Sequence, residues 1–230
     1  MTDIDARRRG RLDQSVIVDA VLALASDERD SRITFKRLGE ALGVDATAMY
    51  RHFRNKEELT KAALDRLSGM AVEDARAVPG SWRERLERHM IRNAELSLKY
   101  PSVAAEWALV DPGGPGDLAS DEHILETLSE GGLQGETLLR AYAAVSGFTL
   151  AQSAALAQDA LNDGSGVRDG SIPWVTGFGG ADLGPYPNVR EHRDALLAMN
   201  GISVYRAGIQ AILDSVERWA HEGAGAAAGE

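Results

Sequence analysis

The chain reads as all-α: a small helix-turn-helix head joined to a larger helical bundle. Three observations predict this. Apolar residues recur three and four apart in segment after segment, as one face of a helix requires. No stretch alternates apolar and polar residues in the manner of a strand. Helix starts and stops are marked by Gly43, Asp45, Asn55, Pro79-Gly80 and Gly131-Gly132.

Residues 1–11 (MTDIDARRRGR) carry no apolar period. They read as an arginine-rich arm for a minor groove or for phosphates, or equally as a solvated tail. From Leu12, the positions Val16, Ile17, Ala20, Val21 and Leu24 follow helical spacing and predict a helix behind the next unit. That unit begins after Ile33 and buries Leu38 and Leu42. Gly43 ends it, as a residue that accepts positive φ. Val44 fills the turn, and Asp45 caps a second short helix over 46–53. Gly39, four residues before Gly43, lets two crossing helices approach closely. Asn55-Lys56-Glu57-Glu58 has the pattern of a capping box and opens a support helix through Leu59, Ala63, Leu67 and Met70. Two short helices around a glycine turn form the unit that places a recognition helix in a major groove. On that helix Ala46, Thr47 and Tyr50 share a face with Arg51 beside it, while Met49 and Phe53 turn inward onto Leu38 and Leu42.

Beyond Pro79-Gly80 the spacing stays helical. Trp82, Leu86, Met90 and Ala94 repeat four apart, and Tyr100-Pro101 interrupts them. A short helix is expected over 102–110, a loop over Asp111–Asp117, and another short helix around Ile124 to Leu128. Residues 134–161 predict a long helix rich in Ala, Ser and Gly. The glycine-rich segment 162–188 shows no period and is expected to be irregular. Ala195, Ala198, Ile202, Tyr205, Ile209, Ile212, Val216 and Trp219 then trace an a/d seam, with Asn200-Gly201 as a point of weakness. The expected domains are an arm (1–11), a head (12–67), a body (68–222) and a disordered tail (223–230).

The net charge of −10 argues against a polyanion ligand until it is divided along the chain. Residues 1–66 carry 13 Lys+Arg against 12 Asp+Glu, and residues 67–230 carry 12 against 23. Basic charge is therefore concentrated at the proposed reading head, which is where it matters. With no cysteine there are no disulfides and no thiolate metal ligands. No apolar run is long enough to span a bilayer, so a cytoplasmic protein is expected.

The segment Gly43–Leu59, reading GVDATAMYRHFRNKEEL, resembles the DNA-binding motif of the TetR family of bacterial repressors, and residues 12–67 resemble its whole head. The turn, the Tyr-x-His-Phe and the Asn-Lys-x-x-Leu match that pattern nearly position for position over a quarter of the chain. The resemblance implies a homodimer on double-stranded DNA, with a ligand-binding body and release of DNA when a small-molecule effector binds. It also implies that Thr34 and Lys56 touch phosphates at helix starts, and that Tyr50 and His52 grip the backbone. Ala46, Thr47 and Arg51 then face base edges or the adjacent backbone. Arg51 is the residue among these suited to bidentate reading of guanine.

Helical bundles place ligands between helices. Candidate polar residues for an effector are His89 and Asn93, four apart, with Gln152 and His123; candidate walls are Trp107, Phe148, Trp174 and Phe178. Neither His89 nor His123 has a neighbour at metal-ligand spacing, so no metal or cofactor is expected. Tyr142 and Val145 on the long helix, with Tyr205, Ile209, Ile212 and Val216 on the last, are candidates for a four-helix dimer interface. From spacing alone the same seam packs equally well within one chain. Alternatives are a DNA-binding regulator without a small-molecule inducer and, remotely, a helical-bundle enzyme. Against the enzyme, the chain has no phosphate loop, HExxH or nucleophile elbow.

Overall fold

A computed structural model describes residues 12–27, 33–162, 175 and 177–227. The elements are α1 (Gln14–Asp27), α2 (Phe35–Leu42), a 3₁₀ recognition segment (Ala46–Arg51), α3 (Lys56–Arg76), α4 (Trp82–Lys99) and α5 (Pro101–Ala104). After a 3₁₀ turn (Ala105–Ala108) come α6 (Pro115–Glu130), α7 (Gly135–Asn162), a 3₁₀ turn (Gly177–Gly179), α8 (Pro187–Leu197) and α9 (Gly201–Ala227). There is no strand among the described residues, so the all-α architecture with an N-terminal helix-turn-helix is as expected.

Local chemistry sets the boundaries. Ser81 and Glu84 form a complete capping box at the start of α4, with Glu84 Oε2 accepting from Ser81 N–H at 2.8 Å. Tyr100-Pro101 breaks α4, since proline is tolerated at the first position of a new helix and not inside an old one. The sequence expectation of a short helix near Ile124 to Leu128 is corrected: α6 spans 16 residues from Pro115. Pro115 starts it within the expected loop, and a carboxylate from elsewhere in the chain caps it. Asp65 on α3 accepts the Asp117 N–H at 2.9 Å. Gly116 makes this approach possible, because a Cβ there would lie 2.1 Å from the Asp65 carbonyl oxygen.

The point of weakness expected at Asn200-Gly201 in the last seam is a full break. The seam divides at Ala198–Asn200 into α8 and α9, which meet at 108°. Asn200 opens α9 by accepting the Ser203 N–H at 2.8 Å. Polar, glycine-containing chemistry at this point outweighs the continuous apolar spacing. The helix runs to Ala227.

Two apolar clusters hold these elements. One joins Ile17, Leu38, Met49, Phe53 and Leu64 of the head to Leu96, Val103, Trp107 and Ala157 of the body. The other packs Leu86, Met90, Leu128, Val145, Tyr205, Ile209 and Val216. The head is thus continuous with the body through α3, which packs mainly on α6 and α4. α9 is tied to α4 by Arg83, which pairs with Asp214 at 2.5 Å and Glu217 at 3.1 Å, and by the buried Tyr205 hydroxyl, which donates to the Met90 carbonyl at 2.8 Å. No single helix among the described residues is long and apolar enough to cross a membrane.

Candidate nucleic-acid interface

The head presents a polar surface on a rigid apolar base. Met49 and Leu38 are fully buried and Phe53 nearly so, as the inward positions of the motif require. Gly43 takes φ 66°, and its turn is closed by the Val44 N–H donating to the Gly39 carbonyl at 2.9 Å. A Cβ at Gly39 would lie 2.8 Å from the Val44 carbonyl oxygen, so α2 and the recognition segment meet only because that side chain is absent. Asp45 caps the segment by accepting the Thr47 N–H at 2.8 Å. Hydrogen bonds from the Thr47 side chain and backbone hold the Asp45 carboxyl below the usual range.

The recognition segment is a 3₁₀ helix ending at Arg51, tighter and shorter than the α-helix over 46–53 that the spacing suggests. Outward placement nevertheless survives. Thr34, Thr47, Tyr50, Arg51 and Lys56 are exposed, and Ala46 and His52 are half-buried. Thr34 caps α2, accepting the Arg37 N–H at 3.3 Å. Tyr50 is 60% exposed yet not loose, because its ring stands edge-on to Phe35 with centroids 4.7 Å apart. The His52 carbonyl accepts Gln14 Nε2 from α1 at 2.9 Å. Sequence reasoning passed over Phe35 and Gln14, which act by orientation; an aromatic at the first position of α2 was the available signal. Asn55 caps α3 through the Glu58 N–H at 2.8 Å, while the Glu58 carboxylate accepts from Arg54 N–H rather than closing the box on Asn55. Lys56 therefore sits in the first turn of a capped 21-residue helix, where the macrodipole favours anions. It has no ion pair among the described residues.

Comparison with known proteins decides what this head is. Residues 17–63 match the family described as bacterial regulatory proteins, tetR family. The head thus matches the DNA-binding region of TetR-family transcriptional regulators. Among its relatives, an HTH-type transcriptional regulator of Saccharopolyspora erythraea is 27% identical over 163 residues, covering 71% of this chain and 69% of the relative. The tetracycline repressor protein class A from transposon 1721 of Escherichia coli is 26% identical over 211 residues, covering 90% and 92%. In fold, a possible TetR family regulator from Streptomyces coelicolor A3(2) superposes with a TM-score of 0.74 at 24% identity, covering 90% of this chain and 99% of the other. The S. coelicolor TetR family protein ActR in complex with actinorhodin superposes at 0.68 with 21% identity, covering 92% and 99%.

In the body the candidate effector residues do not all converge on one space. His89 and Asn93 are buried and lie 3.3 Å apart, with Ser120 Oγ 3.1 Å from His89 and the His123 ring 5.3 Å away. Burial first, then the second imidazole, pushes the His89 pKa down to about 3. Trp107 belongs to the other apolar cluster, on the head side. Phe148 stacks on Tyr205 at 5.4 Å, Gln152 is half-buried on α7, and Phe178 lies on the turn before α8. Trp174 is outside the described residues. A cavity of about 330 Å³ opens between the head and the body, and none of these candidates lines it.

The dimer candidates need a correction as well. Val145, Ile209 and Val216 are fully buried and Tyr205 is 1% exposed, all inside the protomer. The a/d seam is therefore intramolecular, seating α9 on α4 and α7. Tyr142 is half-buried and donates to Asp121 at 2.9 Å, and Ile212 is half-buried beside the seam. The apolar surface left free is the other side of the same helices. On α7 it runs through Leu139 (61% exposed), Ala143, Gly147 and Leu150 (44%); on α9 it includes Ala207 and Ala211.

Proposed function

We propose that the protein is a cytoplasmic homodimeric repressor that grips a pseudo-palindromic operator and leaves it when a small molecule binds. The observation that carries this reading is the contrast within the head: Thr47, Tyr50, Arg51 and Lys56 stand exposed on a base of Leu38, Met49 and Phe53 that is closed to water. Such an exposed surface suits a phosphate-lined groove. Lys56, Tyr50, Thr34 and His52 position the head on the backbone, and Arg51 with Thr47 and Ala46 faces the base edges. Small-molecule release is supported by relatives that are tetracycline repressors and by the fold shared with ActR in complex with actinorhodin.

The support for dimerisation is the free faces of α7 and α9 rather than the seam. Leu139, Ala143, Gly147 and Leu150 recur four, four and three apart, and a Cβ at Gly147 meets nothing within 4 Å. Two such faces about a two-fold axis form a four-helix contact, with small residues allowing close approach. A dimer sets its two recognition segments about 34–36 Å apart, one turn of B-DNA, when it fits successive major grooves.

The test is selection of bound duplexes from random DNA, followed by sedimentation of the complex. Enrichment of an inverted repeat, with two protomers per duplex, supports the reading. Enrichment of nothing, or of one half-site bound by one protomer, refutes it.

A further inference from the structure

We propose that the effector site is the cavity between head and body, that it takes a compact, mostly apolar organic acid, and that Lys56 serves the effector's anionic group and the DNA phosphate in turn. The proposal rests on the reading of Lys56 as a phosphate contact.

The cavity is partly open to solvent and holds about 330 Å³, the lower end of the range for small-molecule sites. Its walls come from both parts of the chain. Val21, Leu59 and Ala63 belong to the head side, and Val103, Ala105 and Leu161 to the body side. A molecule seated here touches α1, α3, α5 and α7 at once, so it acts on the joint by which the head is oriented.

Polar residues share the lining of this space with these apolar walls: Lys56, Thr60, Ser102, Glu106, Gln158 and Asn162. Ser102, whose hydroxyl oxygen is buried without a hydrogen-bond partner, lines it. An unpartnered buried hydroxyl is costly in a native structure, and a rotation of Ser102 that turns its hydroxyl toward the cavity lets a ligand oxygen resolve that cost. Lys56 lines it from the first turn of α3, where its ammonium and the helix N-terminus both favour an anion. Glu106 on the opposite side disfavours a second acidic group and suits a hydroxyl donor. These walls suit a body with an apolar part and one carboxylate, sulfonate or phenolate, with Thr60, Gln158 and Asn162 available for its hydrogen-bonding groups.

The consequence for regulation is direct. One ammonium cannot pair fully with an effector anion inside the joint and with a phosphate outside it. Effector and DNA therefore weaken each other, and by linkage they do so by the same factor.

The experiment titrates the full-length protein with 8-anilinonaphthalene-1-sulfonate, an apolar anion that fluoresces in apolar surroundings. The expected result is one site per protomer, weakened at least tenfold by Ala105→Phe, which fills the cavity, and severalfold by Lys56→Gln. Leu109→Trp, at an exposed position of the rim, narrows the mouth without touching a core and is expected to weaken the probe too. Circular dichroism checks that each variant is helical; if Ala105→Phe does not fold, Leu109→Trp decides. Probe affinity unchanged in the folded rim and cavity variants overturns the site, and affinity indifferent to Lys56→Gln overturns the anion assignment. A saturating duplex chosen by selection is expected to weaken the probe at least fivefold. If the probe binds as described and DNA leaves it unaffected, the shared lysine is wrong. If no duplex is bound at all, the functional reading fails while the titration still decides the cavity.

Discussion

Acidification should destabilise this protein through its two buried imidazoles. His89 and His123 are each 1% exposed, with rings edge to face at 5.3 Å. Burial holds His123 down to about 4, helped by Arg76 and Arg85; burial and then His123 hold His89 down to about 3. In the unfolded chain both take up protons near pH 6.5. Between about pH 6.5 and 4 the unfolded state thus binds more protons than the folded state, so stability falls as pH falls and is complete above 6.5. At pH 4.5 each imidazole accounts for about 2–3 kcal/mol, from ~1.4 kcal/mol per pH unit over two units. Because His123 is part of what lowers His89, the pair together stays below the sum. The assay is urea unfolding at pH 7.5 and 4.5, at fixed protein concentration, for wild type and for His89→Gln/His123→Gln. Each protein is compared with itself, which removes the cost of the substitutions and the background from carboxylates such as Asp13, Asp45 and Glu84. Wild type should lose at least about 2 kcal/mol more than the variant. Equal losses would show that these histidines are solvated or already protonated, and the reasoning would be wrong.

Other outcomes follow from single contacts. Gly39→Ala places a methyl group 2.8 Å from the Val44 carbonyl oxygen; a loss of about 1–3 kcal/mol in thermal or urea unfolding, with weaker DNA binding, is expected. Asp65→Ala removes the cap on α6 and should cost about 1 kcal/mol, whereas Asp65→Asn keeps an acceptor for the Asp117 N–H and should cost less by the same assay. Leu150→Arg on the free face of α7 should give monomers in sedimentation at micromolar concentration with helicity intact; Val145→Ala, inside the protomer, should lower stability and leave the dimer. Arg51→Ala should relax preference at one base position per half-site, read by selection, and equal loss on every sequence assigns Arg51 to the backbone.

The head was legible in the sequence because its determinants are local. Gly43, Asp45 and Asn55 act within four residues of themselves, and the inward set Leu38, Met49 and Phe53 follows from spacing. The body was less legible because its determinants are distant. The start of α6 depends on Pro115 and on Asp65, 52 residues away from the N–H it caps. The a/d seam of α9 was visible, but its partner was not: spacing states that Tyr205, Ile209 and Val216 are buried, and only packing tells that α4 and α7 cover them. Residue type alone points to the candidate effector residues, and the structure brings His89, Asn93 and His123 together while setting Trp107, Phe148 and Phe178 apart from them. The cavity is lined instead by Val21, Ser102 and Leu161, whose types carry no signal of their own.

The most direct test of a DNA-reading head is fluorescence anisotropy on a selected duplex and a random one, across a range of salt, for wild type, Tyr50→Ala and Lys56→Gln. The expected result is tight binding to the selected duplex alone, lost in Tyr50→Ala. In Lys56→Gln, binding should weaken with a salt slope shallower by about one unit per head. Binding that is equal on both duplexes and indifferent to Tyr50 and Lys56 would contradict the account.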